Sequence, residues 1–402
     1  MEHSDKWLVK EYLTYERQKH KQPIFISDWD SDFDNLILPK NLVHKALKET
    51  LKNFHKYAYI DTDTEEKEYI INYLNQYAER KFIYENIAIS SNSTNAIYLS
   101  ILALNRINVK RFLVLTPTYY TVLETLNQLS SSIIYYHLSD KDSFNINLEV
   151  LVDILRGQFI EAIIITDPVY SAGIEIPNIV YDKICEICVE LNIWFVCDYT
   201  LGGMTWHSTK IELMNFSKFN IISKALKFLY IESIPKKMFL NGIKHTTIIS
   251  SPEIISIIED ITFSITGGLC STQVNLYKEI YKYENHKLLL NIIKKNIDFA
   301  NNNFNLLRTS LIGTNFSLYN TNSGYFTILY HKELVTKDLN IKLIVRDFLF
   351  QHDIYIYPTS ILSYYKYNKF GFRINLMKNI KDYIPLVLKC INKNFDSLYK
   401  IT

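Results

Sequence analysis

The chain has 402 residues, of which 48% are hydrophobic, and 44 Lys and Arg residues nearly balance 42 Asp and Glu residues, which leaves a formal charge of +2. This composition allows a large core, unlike that of disordered chains. The near-neutral charge also argues against a dedicated nucleic-acid-binding protein, for which a basic excess is typical. At roughly 100–200 residues per domain, the length predicts two or three domains, or one large α/β domain with an appendage.

The cysteines and the amino terminus predict a cytoplasmic protein. Cys185, Cys188, Cys197, Cys270 and Cys390 form no even, regularly spaced disulfide framework. Cys185 and Cys188 recur with other apolar residues at helical spacing, so we interpret them as apolar helix residues and predict no metal site. The start lacks the apolar segment of a signal peptide, and no apolar run approaches the ~18 residues of a membrane span. We therefore expect neither a membrane nor a nucleic-acid partner.

Short apolar runs alternate with amphipathic segments through the middle of the chain. The candidate strands are residues 87–90, 112–115, 133–137, 162–166, 194–197, 220–223 and 246–250. Helical patterns between them include residues 94–104, 120–129 and 181–191. The alternation predicts an α/β protein with a mostly parallel sheet and helices on both faces. A functional site is then expected at the carboxyl ends of the strands.

The pattern changes after about residue 280. A long helical stretch at residues 287–307 is followed by apolar runs and one further helix, at residues 325–330, 339–352, 354–357 and 372–376. We predict a smaller α+β domain over residues 281–402 and a large domain over residues 51–280. An amino-terminal segment, residues 1–50, is expected to pack with the small domain.

Polar residues follow several of the predicted strands. Ser93 and Thr94 lie where the first strand passes into a helix, and free N–H groups there suit a phosphate, although ordinary helix capping is the simpler explanation of these residues taken alone. Asp198 follows an apolar strand and needs a cationic partner. Lys224 follows the apolar run 220–223. A carboxylate and a Lys that converge on a phosphate-type helix start are the parts of a pyridoxal phosphate site.

The order and spacing of these motifs resemble the class I and II aminotransferases, which are fold-type-I enzymes dependent on pyridoxal phosphate. The resemblance runs from about Asp61 to Met377. Residues 91–96 stand where that family has its phosphate loop, and residues 242–252 align with its Gly-x-Arg-x-Gly motif and the following strand. Residues 323–326, 357–360 and 371–375 match landmarks of its small domain.

The resemblance implies roles for individual residues. The ring of Tyr119 would stack on the cofactor pyridine, and Asp198 would pair with the pyridine nitrogen and keep it protonated. Lys224 would hold the cofactor covalently and then move the substrate Cα proton. Lys244 would stand at the phosphate, and Arg373 would bind the substrate α-carboxylate with its planar fork.

One other lysine competes for the covalent role. Lys227 lies one helical turn beyond Lys224. Ser223, directly before Lys224, matches the Ser-Lys pair of the family, so the prediction favours Lys224.

The chain departs from the family at three positions. Tyr170 stands where the family has an Asn that hydrogen-bonds the cofactor phenolate oxygen, and Leu201 stands where many members have a Tyr that donates to the same oxygen. Tyr170 either replaces that donor or is an ordinary core or rim tyrosine. Lys244 replaces an Arg, and Lys236 and Lys237 are further candidates for neutralising the phosphate.

The resemblance implies an enzyme that acts on an amino acid and a 2-oxo acid, most simply an aminotransferase. A specialised relative that performs elimination, decarboxylation, cyclisation or oxidation is the alternative among enzymes. A non-catalytic binding protein is a third reading, against which the presence of Asp198, Lys224 and Arg373 argues. A homodimer is also implied, with Tyr57 or Tyr59 reaching the partner's phosphate and residues 266–268 as a second interface candidate.

Overall fold

The computed structural model describes residues 6–31, 39–55, 64–208, 211–361, 369–391 and 399. The helices are α1 (Lys6–Lys19), α2 (Lys40–Asn53), α3 (Thr64–Tyr77), α4 (Ser93–Arg106), α5 (Tyr120–Gln128), α6 (Leu148–Gly157), α7 (Asn178–Leu191), α8 (Phe216–Ile222), α9 (Ile234–Lys237), α10 (Pro252–Thr266), α11 (Ser271–Tyr281), α12 (Tyr283–Ser310), α13 (Ile341–His352) and α14 (Ile380–Cys390). The strands are β1 (Ile24–Phe25), β2 (Ile87–Ser90), β3 (Arg111–Thr116), β4 (Ser132–His137), β5 (Ala162–Thr166), β6 (Trp194–Asp198), β7 (Phe228–Glu232), β8 (Thr246–Ser250), β9 (Phe316–Leu318), β10 (Phe326–Val335), β11 (Ile354–Tyr355) and β12 (Lys369–Asn375). No helix within these ranges is long and apolar enough to cross a bilayer.

A seven-stranded sheet forms the centre of the fold, in the order β2-β8-β7-β6-β5-β3-β4. Strand β8 is antiparallel to both of its neighbours, and the other pairings are parallel. Alternate side chains of one strand enter two different apolar clusters: Ile163 and Ile165 join one, and Ala162 and Ile164 join the other. Such strands are buried on both faces. The predicted α/β architecture, with helices on both faces of a mostly parallel sheet, is confirmed.

One predicted strand is wrong. Residues 220–223 belong to the end of α8 and its cap, and the next strand along the chain is β7. The Asn215 side chain accepts a hydrogen bond from the backbone N–H of Lys218, which starts α8. Ile221 and Ile222 are buried on this helix. A short apolar run does not distinguish a strand from a buried helical turn.

The carboxyl-terminal part contains a second, antiparallel sheet in the order β12-β10-β9, together with α12, α13 and α14. Strand β1 of the amino-terminal segment pairs in parallel with β11, with Ile24 opposite Ile354 and Phe25 opposite Tyr355. The smaller α+β part is therefore present, and the amino-terminal segment contacts it. The boundaries at residues 50 and 280 stay predictions.

The loop of residues 167–175 connects the large sheet with the chain that leads into β10. The backbone N–H groups of Asn322 and Ser323 both donate to the carbonyl oxygen of Gly173, at 3.0 and 2.9 Å. Gly173 has a φ of +64°, and a Cβ atom there would lie 2.3 Å from the carbonyl oxygen of Phe326. The close approach of these two backbones therefore requires glycine at this position.

Gly173→Ala should destabilise the protein more than Gly313→Ala. Both glycines have positive φ, but an added Cβ at Gly313 would meet no atom within 4 Å. We expect Gly313→Ala to lower the free energy of unfolding by about 1 kcal/mol, and Gly173→Ala by a further 1–3 kcal/mol or so, because only the latter forces two backbones apart. Urea unfolding of the two variants measures the difference. Equal losses would contradict the close packing at Gly173.

Candidate active site

The candidate site lies at the carboxyl ends of β5, β6 and β7. A cleft there is bordered by Ser93, Tyr119, Tyr170, Asp198 and Lys236, among others. A more polar cavity of about 270 Å³ adjoins it and shares Ser93, Tyr119 and Lys236 with it. Parallel strands place their carboxyl ends at one edge, which is where ligands bind in open α/β sheets. The structure therefore brings most of the predicted site residues together.

Asp198, at the end of β6, is buried with a fixed orientation. Its Oδ1 accepts hydrogen bonds from the backbone N–H of Thr200 at 3.2 Å and from the Thr200 hydroxyl at 2.6 Å. Burial raises the pKa of Asp198, which the bonds from Thr200 and the charge of Lys236 oppose. Within the described part of the chain, no hydrogen bond reaches Oδ2. The second oxygen is therefore available to a cationic partner in the cleft.

The start of α4 forms one wall of the polar cavity. Asn92 caps the helix, and its side chain accepts a hydrogen bond from the backbone N–H of Asn95 at 2.9 Å. Ser93 and Thr94 are the first helical residues, and the Thr94 hydroxyl lies 3.1 Å from the Tyr119 hydroxyl. Lys244 lines the same cavity. The first N–H groups of a helix, two hydroxyl groups and an ammonium group together suit a phosphate.

Arg373, on β12, is only 3% exposed and is held from several sides. Its Nε and Nη2 donate to the carbonyl oxygen of Ser27 at 2.9 and 2.6 Å. Its Cζ lies 4.6 Å from the ring centre of Phe326 and 5.5 Å from that of Trp29. The remaining nitrogen, Nη1, donates to the Tyr170 hydroxyl at 3.3 Å. Arg373 is thus oriented before any ligand arrives.

Tyr170 lies beside Arg373 in the cleft. Burial raises the pKa of Tyr170, against the lowering effect of Arg373, so the phenol is neutral near pH 7. Its oxygen accepts from Arg373, and its own hydrogen is left to donate. The ring also makes an edge contact with Tyr119, with centroids 5.7 Å apart.

Lys224 does not reach this site. It is exposed and lies between α8 and the start of β7. The carbonyl oxygen of Lys227 accepts from the backbone N–H of Phe195, near the beginning of β6. This segment is therefore at the amino-terminal edge of the parallel strands, opposite Asp198. The predicted position of Lys224 is wrong because residues 220–223 form the end of a helix and its cap, not a strand.

Lys236 is a lysine that lies at the same edge of the sheet as Asp198. It lies on α9, the turn that directly follows β7, and lines both the cleft and the polar cavity. Burial, together with the nearby charges of Lys244 and Arg373, lowers the pKa of Lys236 to about 8, while Asp198 opposes the shift. The signal that would have located it is the apolar run of residues 228–231, just upstream.

The neighbouring Lys237 points the opposite way, into the core. Its Nζ lies 2.9 Å from the carboxylate of Glu232 and 2.9 Å from the carbonyl oxygen of Leu213. Burial raises the pKa of Glu232 to about 7, against the lowering effect of Lys237. The Tyr325 hydroxyl donates to the carbonyl oxygen of Lys237. These contacts fix α9, and with it the side of the turn on which Lys236 projects.

Trp29 is a cleft residue that the sequence analysis missed. Its ring lies at 4.6 Å from that of Phe326, edge to face, and its carbonyl oxygen accepts a hydrogen bond from Asn241 at 2.9 Å. Trp29 lies in the amino-terminal segment, outside any helix or strand. A single aromatic residue without a local pattern gives no sequence signal of its position in the tertiary structure.

A buried ion-pair cluster lies behind the site. Lys218 Nζ contacts Asp167 Oδ2 at 2.6 Å and Glu175 Oε1 at 2.9 Å, and the side chains of Lys218 and Asp167 are each 1% exposed. The Tyr181 hydroxyl donates to Asp167 Oδ2 at 2.9 Å. Lys218 thereby joins both ends of the loop 167–175, which carries Tyr170.

Lys218→Met should lower the free energy of unfolding by about 3–5 kcal/mol, because it leaves the buried Asp167 carboxylate without its cation. Lys183→Met is the matched control, since Lys183 forms an exposed pair with Glu186 at 2.9 Å. That variant should leave the free energy nearly unchanged. Chemical denaturation of both variants tests the expectation. Similar losses in the two would show that the cluster does not stabilise the loop.

The sheet order, the small antiparallel sheet and a carboxylate and a lysine at one strand edge define a fold-type-I enzyme of the pyridoxal phosphate-dependent class. Residues 29–382 match the family described as "Aminotransferase class I and II". The chain belongs to this family, and it is a pyridoxal phosphate-dependent transferase of the aminotransferase type. The family predicted from the motif order is confirmed.

Solved structures agree in fold. A double mutant of the aspartate aminotransferase of Thermus thermophilus superposes with a TM-score of 0.79 at 12% identity, covering 96% of each chain. The aspartate aminotransferase of Rhizobium meliloti gives a TM-score of 0.77 at 12% identity, covering 96% of this chain and 94% of its own. YbdL of Escherichia coli, reported to have a methionine aminotransferase function, gives 0.77 at 13% identity, covering 96% of each chain. No curated protein sequence matches the chain significantly.

Proposed function

We propose that the protein transfers an amino group between an amino acid and a 2-oxo acid, with pyridoxal phosphate held by Asp198 and Lys236. The observation that carries the proposal is that Asp198 and Lys236 line one cleft at the carboxyl ends of the strands, with Arg373 against Trp29 and Tyr170 of its wall. These three groups are the acid, the amine and the carboxylate receptor that the chemistry requires.

The residues present fit the cofactor. The Oδ2 atom of Asp198, which the described residues leave without a hydrogen bond, suits a protonated ring nitrogen. The polar cavity at the start of α4, with Lys244, suits the phosphate. The ring of Tyr119 lies between the cleft and this cavity and suits a stacked pyridine. When bound, pyridoxal phosphate withdraws electrons from the substrate Cα.

Side chains in and around the cleft supply the amine, the carboxylate receptor and a hydrogen-bond donor. With a pKa of about 8, Lys236 is partly neutral near pH 7–8, so its Nζ can attack a carbonyl carbon and later accept the proton from the substrate Cα. Arg373 binds the α-carboxylate through Nη1, whose bonds to Tyr170 and Ser171 are long, at 3.3 and 3.5 Å. Tyr170 would use its own hydrogen to donate to the cofactor phenolate oxygen.

A second candidate function is a specialised reaction of the same enzyme class, such as elimination, decarboxylation, cyclisation or oxidation. The phenol of Tyr170 favours it, because this additional weak acid lies 3.3 Å from the proposed carboxylate receptor Arg373. Mass spectrometry of the products from a panel of amino acids distinguishes the two. A 2-oxo acid formed in step with amino-group transfer supports the aminotransferase.

Lys236→Ala should abolish covalent attachment of the cofactor, and Lys224→Ala should leave it intact. Only Lys236 lies at the cleft, whereas Lys224 is exposed at the opposite edge of the strands. Reduction of the cofactor-loaded protein with borohydride, followed by peptide mapping, locates the pyridoxyl group. A pyridoxyl group on Lys224 in the wild-type protein would contradict the assignment.

Lys244→Gln should shift the reactivity of Lys236 to higher pH. The charge of Lys244 lowers the pKa of Lys236, so its removal raises that pKa from about 8 toward the ordinary lysine value. The neutral amine, which reacts, then forms only at higher pH. The pH midpoint of borohydride-trapped adduct formation is measured with pyridoxal, which lacks the phosphate that Lys244 would bind. Lys224→Gln is the control, and an unshifted midpoint in Lys244→Gln would refute the coupling.

We also propose that the protein is a cytoplasmic homodimer, by analogy with the family. Tyr57 and Tyr59, the predicted contacts to the partner's phosphate, lie outside the described residues. Light scattering of the cofactor-loaded protein tests the oligomeric state. A fully active monomer would refute the proposal.

A further inference from the structure

We infer that Trp29 determines the specificity of the site and that the substrate is an amino acid with a large apolar or aromatic side chain. This inference rests on the proposed function, because it takes Lys236 and Arg373 as the ends between which the substrate binds. Neither the family match nor the similarity in fold identifies the side chain of the substrate.

Lys236 and Arg373 both pack against the ring of Trp29. The Nζ atom of Lys236 is 3.8 Å from the centre of the Trp29 ring, and Cζ of Arg373 is 5.5 Å from it. An amino acid whose amino group is transferred at Lys236 and whose carboxylate binds Arg373 must span this interval. Its Cα and the first atoms of its side chain therefore lie against the indole of Trp29.

The turn that carries Trp29 is fixed in place. The side-chain amide of Asn375 donates to the carbonyl oxygens of Asp28 and Asp30, at 3.0 and 2.8 Å, on either side of Trp29. Lys378 forms an ion pair with Asp28 at 2.8 Å. Asn375 lies two residues after Arg373 on β12, so one strand positions both the carboxylate receptor and the aromatic wall.

The other walls of the cleft are largely apolar, and their apolar members include Ile97, Val169, Leu201, Tyr325 and Phe326. Among the described residues that line the cleft, the cation is Lys236, and Arg373 lies directly behind Trp29, Phe326 and Tyr170 of its wall. Both cations already have a role in the proposed function. The carboxylates are Asp198, which the cofactor would use, and Asp167, which is paired with Lys218.

A charged side chain on the substrate would therefore lose hydration in the cleft without gaining a counter-charge, which is strongly unfavourable. An apolar or aromatic side chain instead gains contact with Trp29 and Phe326, whose rings already meet edge to face. Leucine, methionine and phenylalanine represent this substrate class, and aspartate and glutamate represent the excluded one.

The first experiment compares kcat/KM for these five amino acids in the cofactor-loaded enzyme. We expect the apolar substrates to exceed aspartate and glutamate by about 100-fold, because a buried unpaired charge is rejected. Trp29→Ala should lower kcat/KM for leucine, methionine and phenylalanine by about 10-fold and that for aspartate and glutamate by less, which reduces the ratio between the two substrate classes. Trp7→Ala, on α1, is the control, since Trp7 also has a lysine over its ring, Lys342 at 5.8 Å, but lies outside the cleft.

The second experiment measures binding without turnover. Titration of the cofactor-loaded protein with 3-phenylpropanoate should change the tryptophan fluorescence, because the ligand contacts the indole of Trp29. Trp29→Phe should still bind 3-phenylpropanoate, as followed by calorimetry, but should lose the fluorescence change, and glutarate should bind at least about 10-fold more weakly in both proteins. Trp29→Phe also keeps the aromatic wall if Trp29→Ala fails to fold.

The outcomes separate this inference from the proposed function. A pyridoxyl group on Lys236 together with equal or better kcat/KM for aspartate or glutamate would overturn the specificity and leave the function standing. An unchanged selectivity in Trp29→Ala, or an unchanged fluorescence response in Trp29→Phe, would also overturn it. Absence of both the pyridoxyl group and amino transfer with every amino acid would overturn the proposed function and this inference together.

Discussion

The candidate site depends most on the buried ion pairs of the Lys218 ammonium group. It is almost entirely withdrawn from water and is compensated by Asp167 and Glu175, which lie at the two ends of one loop. A buried ion pair of this kind adds little stability over an apolar pair, but it is costly to break, so it selects one loop conformation. In that conformation the carbonyl oxygen of Gly173 accepts hydrogen bonds from Asn322 and Ser323, in the chain before β10. The same conformation places Tyr170 beside Arg373. The loop therefore fixes the large sheet, the small sheet and the proposed carboxylate receptor, Arg373, relative to one another.

A second constraint comes from two adjacent lysines on α9. Lys237 is neutralised by Glu232 and bonded to the carbonyl oxygen of Leu213, whereas Lys236 has three charges near it, of which two are positive. Because the turn is short, the two side chains point in different directions. Lys237 holds the backbone in place, and the amine of Lys236 lies in the cleft. Burial and like charge act in the same direction on the Lys236 amine, and both favour the neutral form that attacks a carbonyl carbon.

Positions that depend on a local sequence pattern could be predicted from the sequence, and positions that depend on contacts distant in the chain could not. Asp198 lies at the end of β6, and the apolar run of strand length before it predicts this position. The position of Lys236 is harder to predict because residues 220–223 and residues 228–231 are both short apolar runs, and periodicity alone does not separate a buried helical turn from a strand. Trp29 could not be found, since its position depends on Asn241 and Asn375, more than 200 residues away in the chain.

The amino-terminal segment contributes Ser27 and Trp29 to the candidate site. The carbonyl oxygen of Ser27 accepts two hydrogen bonds from the Arg373 side chain, and the Ser27 hydroxyl donates to the carbonyl oxygen of Arg373. Without this acceptor, the buried guanidinium would lose most of its polar contacts and would be held chiefly by the rings of Trp29, Phe326 and Tyr357. Rings attract a cation but do not set its rotation in the way that directed hydrogen bonds do. Since Ser27 and Trp29 are two residues apart, the segment that orients the carboxylate receptor also supplies the wall beside it. A shift of this segment would therefore alter carboxylate binding and side-chain selection together.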